Sequence, residues 1–181
     1  MADYYLVTPL GPFPAAIGNA FNTFTTRQDI SPRPLPIMQG GTARAGMKLK
    51  LEAEGEFSNT GTPTLILGFY HGTEVPAITT PLAESSAITT ASGVTALPWR
   101  LEYRGIFTAT GTTGTIVGCG SLEYGTTLTA VTTVPIPITL ALRTVTIDTT
   151  IARAFGVCAT WGTSSASNTI KTYNISALVL N

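Results

Sequence analysis

Charge is what this chain has least of: of 181 residues, ten are Lys or Arg and ten are Asp or Glu, 11% in all, against roughly a quarter in an ordinary soluble domain. The two signs cancel, the pI is near 6.6, and the cations are scattered from Arg27 to Lys171. A protein that tracks a phosphate backbone concentrates its cations, so nucleic acid is excluded as a partner. Histidine is scarcer still, a single His71 in the segment HGTEVP, read as a loop residue after a strand ending at Tyr70. Catalytic metal sites need several side chains converging on one ion, so no metal and no other cofactor is expected. GxxxxGK and GxSxG are absent, and the glycine-rich run from Ile116 to Gly120 precedes no helical pattern, which removes phosphate-loop and serine-hydrolase chemistry.

Cysteine is limited to Cys119 and Cys158. Two thiols make no disulfide framework, and both are expected to be buried free thiols in strands. No apolar run approaches 18 residues, and Asp3 stands in the opening MADYY where a secretory signal carries basic residues; neither a membrane span nor export is expected. Without export, the sequon Asn174-Ile175-Ser176 has no role.

What is present is period-two alternation. Met47–Phe57, Leu97–Phe107 and Ala154–Trp161 each alternate apolar residues with polar or small ones, the pattern of a half-buried strand. In the first, Met47, Leu49, Leu51, Ala53 and Phe57 share one face, and Lys48, Lys50, Glu52, Glu54 and Glu56 the other. Turn clusters such as SNTGTP (58–63), GTTG (111–114) and GTSSASN (162–168) separate the runs. Strands are predicted over 45–57, 64–70, 79–89, 97–109, 115–124, a broken 127–137, 139–147, 154–161 and 170–180. Such spacing leaves no room for helical crossovers. The fold class that follows is all-β, an antiparallel β-sandwich of jelly-roll type with about eight strands over residues 42–181; an immunoglobulin-like sandwich is the runner-up. Leu49, Leu51, Phe57, Leu65, Leu67, Trp99, Leu101, Phe155 and Trp161 are its expected core.

Residues 1–41 read differently. Six of the twelve prolines fall between Pro9 and Pro36, and SPRPLP favours extended backbone. This segment is expected to be an extended N-terminal arm with one short helix over 14–24, where Ile17, Phe21 and Phe24 recur at helical spacing behind Pro14. Tyr4, Tyr5, Leu6, Phe13, Ile17, Phe21 and Phe24 make it too apolar for a solvated tail, so it is expected to dock along its own domain or a neighbouring chain. The 33 threonines, β-branched hydroxyl residues, suit strand faces that are half wet or packed on other chains. Together with the low charge, they imply a protein that lives in an assembly. Glu52 and Glu54 share a strand face, but the neighbouring lysines mark it as a solvated face with cross-strand ion pairs, answered by Arg100 and Arg104, not as a glycosidase carboxylate pair. No enzymatic activity is expected.

Three stretches, GEFSNTGTPTLILGFYHG (55–72), PWRLEYRGIFTATGTTGTIVGCG (98–120) and TVTIDTTIARAFGVCATWGTSSASNTIK (144–171), resemble tailed-bacteriophage virion jelly-roll proteins of the capsid decoration (minor capsid) and head-fibre kind. They span about half of the β-domain, and the resemblance does not reach residues 1–41. It implies a homotrimer on the capsid exterior, assembled in the host cytoplasm, with the phage major capsid protein as partner. The arm residues Tyr4, Tyr5, Leu6, Phe13, Ile17, Phe21 and Phe24 would then grip the capsid lattice. The alternative is a tail or fibre protein binding a host cell-surface glycan through loops such as 71–78 and 162–168. A genome-enclosing shell protein would need a cationic arm, and residues 1–41 offer only Arg27 and Arg33 against Asp3 and Asp29.

Overall fold

The computed structural model of the chain describes residues 4–6, 19–73, 78–127 and 129–180. Its strands are β1 (Tyr4–Leu6), β2 (Gln28–Asp29), β3 (Ile37–Met38), β4 (Lys48–Ser58), β5 (Thr64–Gly72), β6 (Ile78–Glu84), β7 (Ile88–Thr89), β8 (Leu97–Ala109), β9 (Thr115–Thr127), β10 (Ala130–Ile136), β11 (Thr144–Thr146), β12 (Arg153–Trp161) and β13 (Thr169–Leu180). A seven-stranded sheet runs β1-β13-β4-β8-β9-β10, with β11 following β10 beside β9. A six-stranded sheet runs β2-β12-β5-β6, with β3 also beside β12 and β7 beside β5. Every pairing in both is antiparallel. The chain is an all-β protein of two sheets packed as a sandwich.

Alternation decides which face of each sheet is dry. In β4, Leu49, Leu51 and Phe57 turn inward, and they meet Leu65 and Leu67 of β5, Trp99 and Leu101 of β8, and Phe155 and Trp161 of β12 in one cluster. None of these nine is more than 2% exposed. Phe57 and Trp161, one from each sheet, meet edge to face with ring centroids 6.4 Å apart, a geometry favoured by the aromatic quadrupole. Between β8 and β9, the ring of Tyr103 is accommodated by glycine. A Cβ at Gly105 would lie 2.8 Å from both Tyr103 Oη and Ile116 Cδ1.

β12 departs from the half-buried expectation. Phe155, Val157, Ala159 and Trp161 face the main core, while Ala154 and Cys158 on the opposite face are also 1% and 2% exposed. The cover is the proline-rich segment. β2 pairs with Ala159 and Cys158, and β3 with Ala154 and Arg153. Between them the chain lifts over the outer face, where Leu35 packs with Tyr70, Ile78, Ala154 and Cys158. Contact is close enough that a Cβ at Gly156 would lie 2.5 Å from Ser31 Oγ, so the outward residues of β12 have to be small.

The segment expected to be an arm therefore belongs to the sandwich from Phe21 onward, with Ile30, Leu35 and Met38 only 1%, 2% and 1% exposed. Phe21 exchanges backbone hydrogen bonds of 2.9 and 3.0 Å with Ile170, so residues 19–24 are not helical; the edge of β13 outweighs the local helical spacing. Residues 14–18 of that expected helix lie outside the described residues. Two predicted strands are also interrupted. The one over 79–89 divides into β6 and β7 at Ser85, whose N–H and hydroxyl both bond to the Leu67 backbone, and the one over 139–147 opens as a 3₁₀ turn, Leu140–Arg143, before β11.

Where the proline-rich segment leaves the ladder, Ser31 takes its place. Its hydroxyl accepts from Val157 N–H at 2.7 Å and donates to Val157 C=O at 3.2 Å. The carbonyl keeps a second donor, Ile30 N–H at 3.0 Å, but the amide has none. Ser31→Ala is expected to cost about 1–3 kcal/mol, the cost of a buried donor left unmade, whereas the exposed Ser164→Ala should change little; urea unfolding of the two variants measures the difference.

Candidate functional site

The described arm residues lie in two parts of the fold. Tyr4, Tyr5 and Leu6 form β1, in register with Val179, Leu178 and Ala177 of β13. Phe13 and Ile17 lie outside the described residues. Phe21 and Phe24 pack against the sandwich's own core, where they serve the fold.

The other exposed feature is the outer face of the seven-stranded sheet, where register stacks the outward residues in rows. Lys50 lies opposite Arg104, Glu52 opposite Glu102, and Glu54 opposite Arg100. Like charges thus face each other in two rows, and the repulsion is relieved along and across the strands. Glu52 is 3.0 Å from both Lys50 and Arg100, and Lys171 is 2.8 Å from Glu56. Arg100 answers a glutamate of the neighbouring strand as expected, but Arg104 turns back to Glu102 on its own strand at 2.6 Å. The Lys50 hydrogen bond, helped by Arg100, holds the Glu52 carboxyl below its usual range, and Lys171, then Tyr173, does the same for Glu56. These pairs are solvent-facing and contribute little stability each; they fix register.

Among the described residues this face carries a small hollow of about 110 Å³ beside Glu52, Arg100 and Asn174 and two larger concave places. One, of about 290 Å³, is lined by Pro98, Val131 and Tyr173 together with Glu54, Arg100 and Glu123; Tyr173 stands 42% exposed there. The other, of about 730 Å³, lies at the opposite end, between β13, β4, β8 and β9, and includes Lys48, Lys50, Arg104, Arg143, Ile106, Val117 and Cys119. Neither is legible in the sequence, because each is assembled from strands distant in the chain.

The titratable groups elsewhere are structural. His71 is not a loop residue: it continues β5, paired with Phe155 and Thr80, and is 3% exposed. Tyr70 donates to Glu84, whose carboxyl is pushed up by burial, and the Arg27 guanidinium lies 5.1 Å above the Tyr70 ring. The cysteines lie in different sheets and are both free; Cys158 is buried, but Cys119 is exposed, contrary to expectation, because it falls on an outward position of β9. Burial pushes the Cys158 thiol far up. Among the described residues no cluster of His, Cys, Asp or Glu is arranged to hold a metal ion. The chain matches no family model, no curated protein and no solved structure.

His71 carries a testable pH dependence. Burial first, and the positive charge of Arg153 second, lower its pKa to about 4, so the folded state holds it neutral while the unfolded chain takes up a proton below about 6.5. Its depressed pKa gives stability that is present above pH 6.5 and lost as pH falls towards 4, with a loss of about 2 kcal/mol expected between pH 7 and pH 5. Urea unfolding at the two pH values measures it, and His71→Gln should flatten that part of the profile.

Proposed function

We propose that this chain is a structural virion protein, a decoration (minor capsid) protein on the exterior of a bacteriophage head. In this reading it binds the major capsid protein through its N-terminal residues, stands on the lattice as a homotrimer, and is no enzyme. Assembly is in the host cytoplasm. The observation that carries the reading is the start of the chain: β1 pairs with the outer edge of β13 through three residues only, ahead of a rigid sandwich that Phe21 to Met38 help to close. A three-residue edge strand is a weak attachment, and strand edges are where extended segments from other chains add. The apolar residues Tyr4, Tyr5, Leu6, Phe13 and Ile17 lie in that stretch. The low charge supports burial of much of the surface in an assembly. Binding only to the completed lattice would stabilise it by mass action, copy by copy.

A jelly-roll assignment goes with the proposal. Eight strands have seven residues or more, and the chain crosses between sheets six times, after β1, β3, β4, β7, β11 and β12. The hairpins β5–β6 and β8–β9–β10, each of which stays in one sheet, are its departures from strict alternation.

The second reading, a tail or fibre protein that binds a cell-surface glycan, is favoured by the concavity of Tyr173, Pro98 and Val131 beside Glu54, Arg100 and Glu123, since an exposed ring flanked by charged hydrogen-bonding groups suits a sugar.

The test is co-sedimentation with tailless phage heads, using the full chain, a chain beginning at Ala20 and one beginning at Gly40. Saturable binding by the full chain is expected, with at least about a tenfold loss in the chain beginning at Ala20, which should keep its fold. The chain beginning at Gly40 should be unstable, since it lacks Ile30, Leu35 and Met38 and bares β12. Full-affinity binding by the chain beginning at Ala20 would remove the arm's role; absence of binding to heads, with saturable binding to host cells, would replace the proposal by the glycan reading.

A further inference from the structure

The two outer faces of the sandwich are unequally finished. That of the six-stranded sheet is covered over β5 and β12 by the chain's own Leu35 and Ile37. That of the seven-stranded sheet is open, and at one end it carries apolar side chains that are left in solvent: Ile106 is 45% exposed and Val117 38%. They face each other across β8 and β9 in one row, and half-buried Leu178 and Leu180 of β13 continue the apolar floor on the far side of Lys48 and Lys50.

Among the described residues every charged side chain lining this groove is a cation: Lys48, Lys50, Arg104 and Arg143. Lys50 and Arg104 are engaged by Glu52 and Glu102, but Lys48 and Arg143 have no carboxylate within ion-pair distance among the described residues. Arg143 Nε is moreover buried with no hydrogen-bond partner, an arrangement that natural proteins rarely leave unanswered. In a chain of zero net charge, this local excess comes from the register of β4 with β8 and from the 3₁₀ turn that brings Arg143 beside them.

We infer that this groove is a docking site for an acidic protein segment, laid along the sheet with apolar side chains on Ile106 and Val117 and carboxylates directed to Lys48, Arg104 and Arg143. Charge complementarity selects the partner: apolar contact alone would admit any exposed strand, whereas four cations round an apolar floor favour carboxylates spaced along an extended chain. The inference deepens the proposed function by supplying a second contact with the shell, and it rests on that reading only for the source of the segment. Cys119, exposed within the groove, is a built-in reporter, since Cys158 is buried and protonated.

The test uses the full chain and a fluorescein-labelled ten-residue peptide of alternating Asp and Leu, read by anisotropy, with an alternating Lys and Leu peptide and a dT10 oligonucleotide as comparisons. Expected are saturable binding of the acidic peptide alone, at least a tenfold weakening by raised salt and by the double variant Lys48→Glu with Arg104→Glu, and no more than a twofold change for Arg100→Glu, which lies outside the groove. The neutral double variant Lys48→Gln with Arg104→Gln should fall between. Bound peptide should slow iodoacetamide alkylation of Cys119 at least fivefold. Lack of peptide binding, equal binding by the Glu double variant, unprotected Cys119, or dT10 binding as tight as the peptide's would each overturn the inference. None of these outcomes depends on binding to heads, so the two readings fail separately.

Discussion

The structure depends on closing one side of the sandwich. β12 and β13 would both be edge strands, each with a row of unpaired backbone groups, if the chain began at Gly40. Exposed edges of this kind recruit other strands. The residues before Gly40 prevent it: β1 and Phe21 line β13, then β2, Ser31, Pro36 and β3 line β12. One continuous segment thus closes both sheets on the same side and adds a second, smaller apolar cluster on the back of β12. Proline suits the task, because a segment that pairs intermittently has no need of every amide donor and gains from a backbone already extended.

That closure explains why β12 is made of small and large residues in alternation. Phe155, Val157 and Trp161 fill the space between the sheets, while Ala154, Gly156 and Cys158 leave the back low enough for Leu35 and Ser31 to approach. The register of the whole six-stranded sheet follows, since β12 is paired to β5 from Ala154–Gly72 to Trp161–Leu65, and a slip by one residue would turn Phe155 into the segment that needs glycine.

The sequence made the long strands readable because their alternation is local. Leu97–Ala109 is found with the bounds expected of it, and all nine expected core residues lie inside. What it concealed was tertiary. AFGVCATW has the same period whether its small residues face water or a covering segment, and only the placing of Leu35 distinguishes the two. HGTEVP reads as a turn after a strand ending at Tyr70, yet the pairing of His71 with Phe155 and Thr80 carries β5 on to Gly72. Phe21 and Phe24 were legible as anchors, but not what they anchor to. The groove is not legible in the sequence, because Lys48, Ile106, Val117, Arg143 and Leu180 come from five separate segments and meet only in the folded sheet and its 3₁₀ turn.

The unequal finish of the two outer faces bears on how so uncharged a protein remains specific. With 11% charged residues, it cannot rely on a general field to reject wrong partners, and scattered threonines confer no orientation. Specificity then has to come from where its few charges are placed. On the seven-stranded sheet they are banded: the Lys50–Arg104 row, then the Glu52–Glu102 row, then the Glu54–Arg100 row. A partner strand shifted by two residues from the Lys50–Arg104 row would meet the Glu52–Glu102 row, of opposite sign, so these two rows encode register as well as identity. Like charges placed opposite each other cost some stability within the fold. They are tolerated where neighbouring ions offset them, as Lys50 and Arg100 do for Glu52; at the groove end Lys48 and Arg143 have no carboxylate within ion-pair distance among the described residues, and that charge is what the proposed acidic segment would answer.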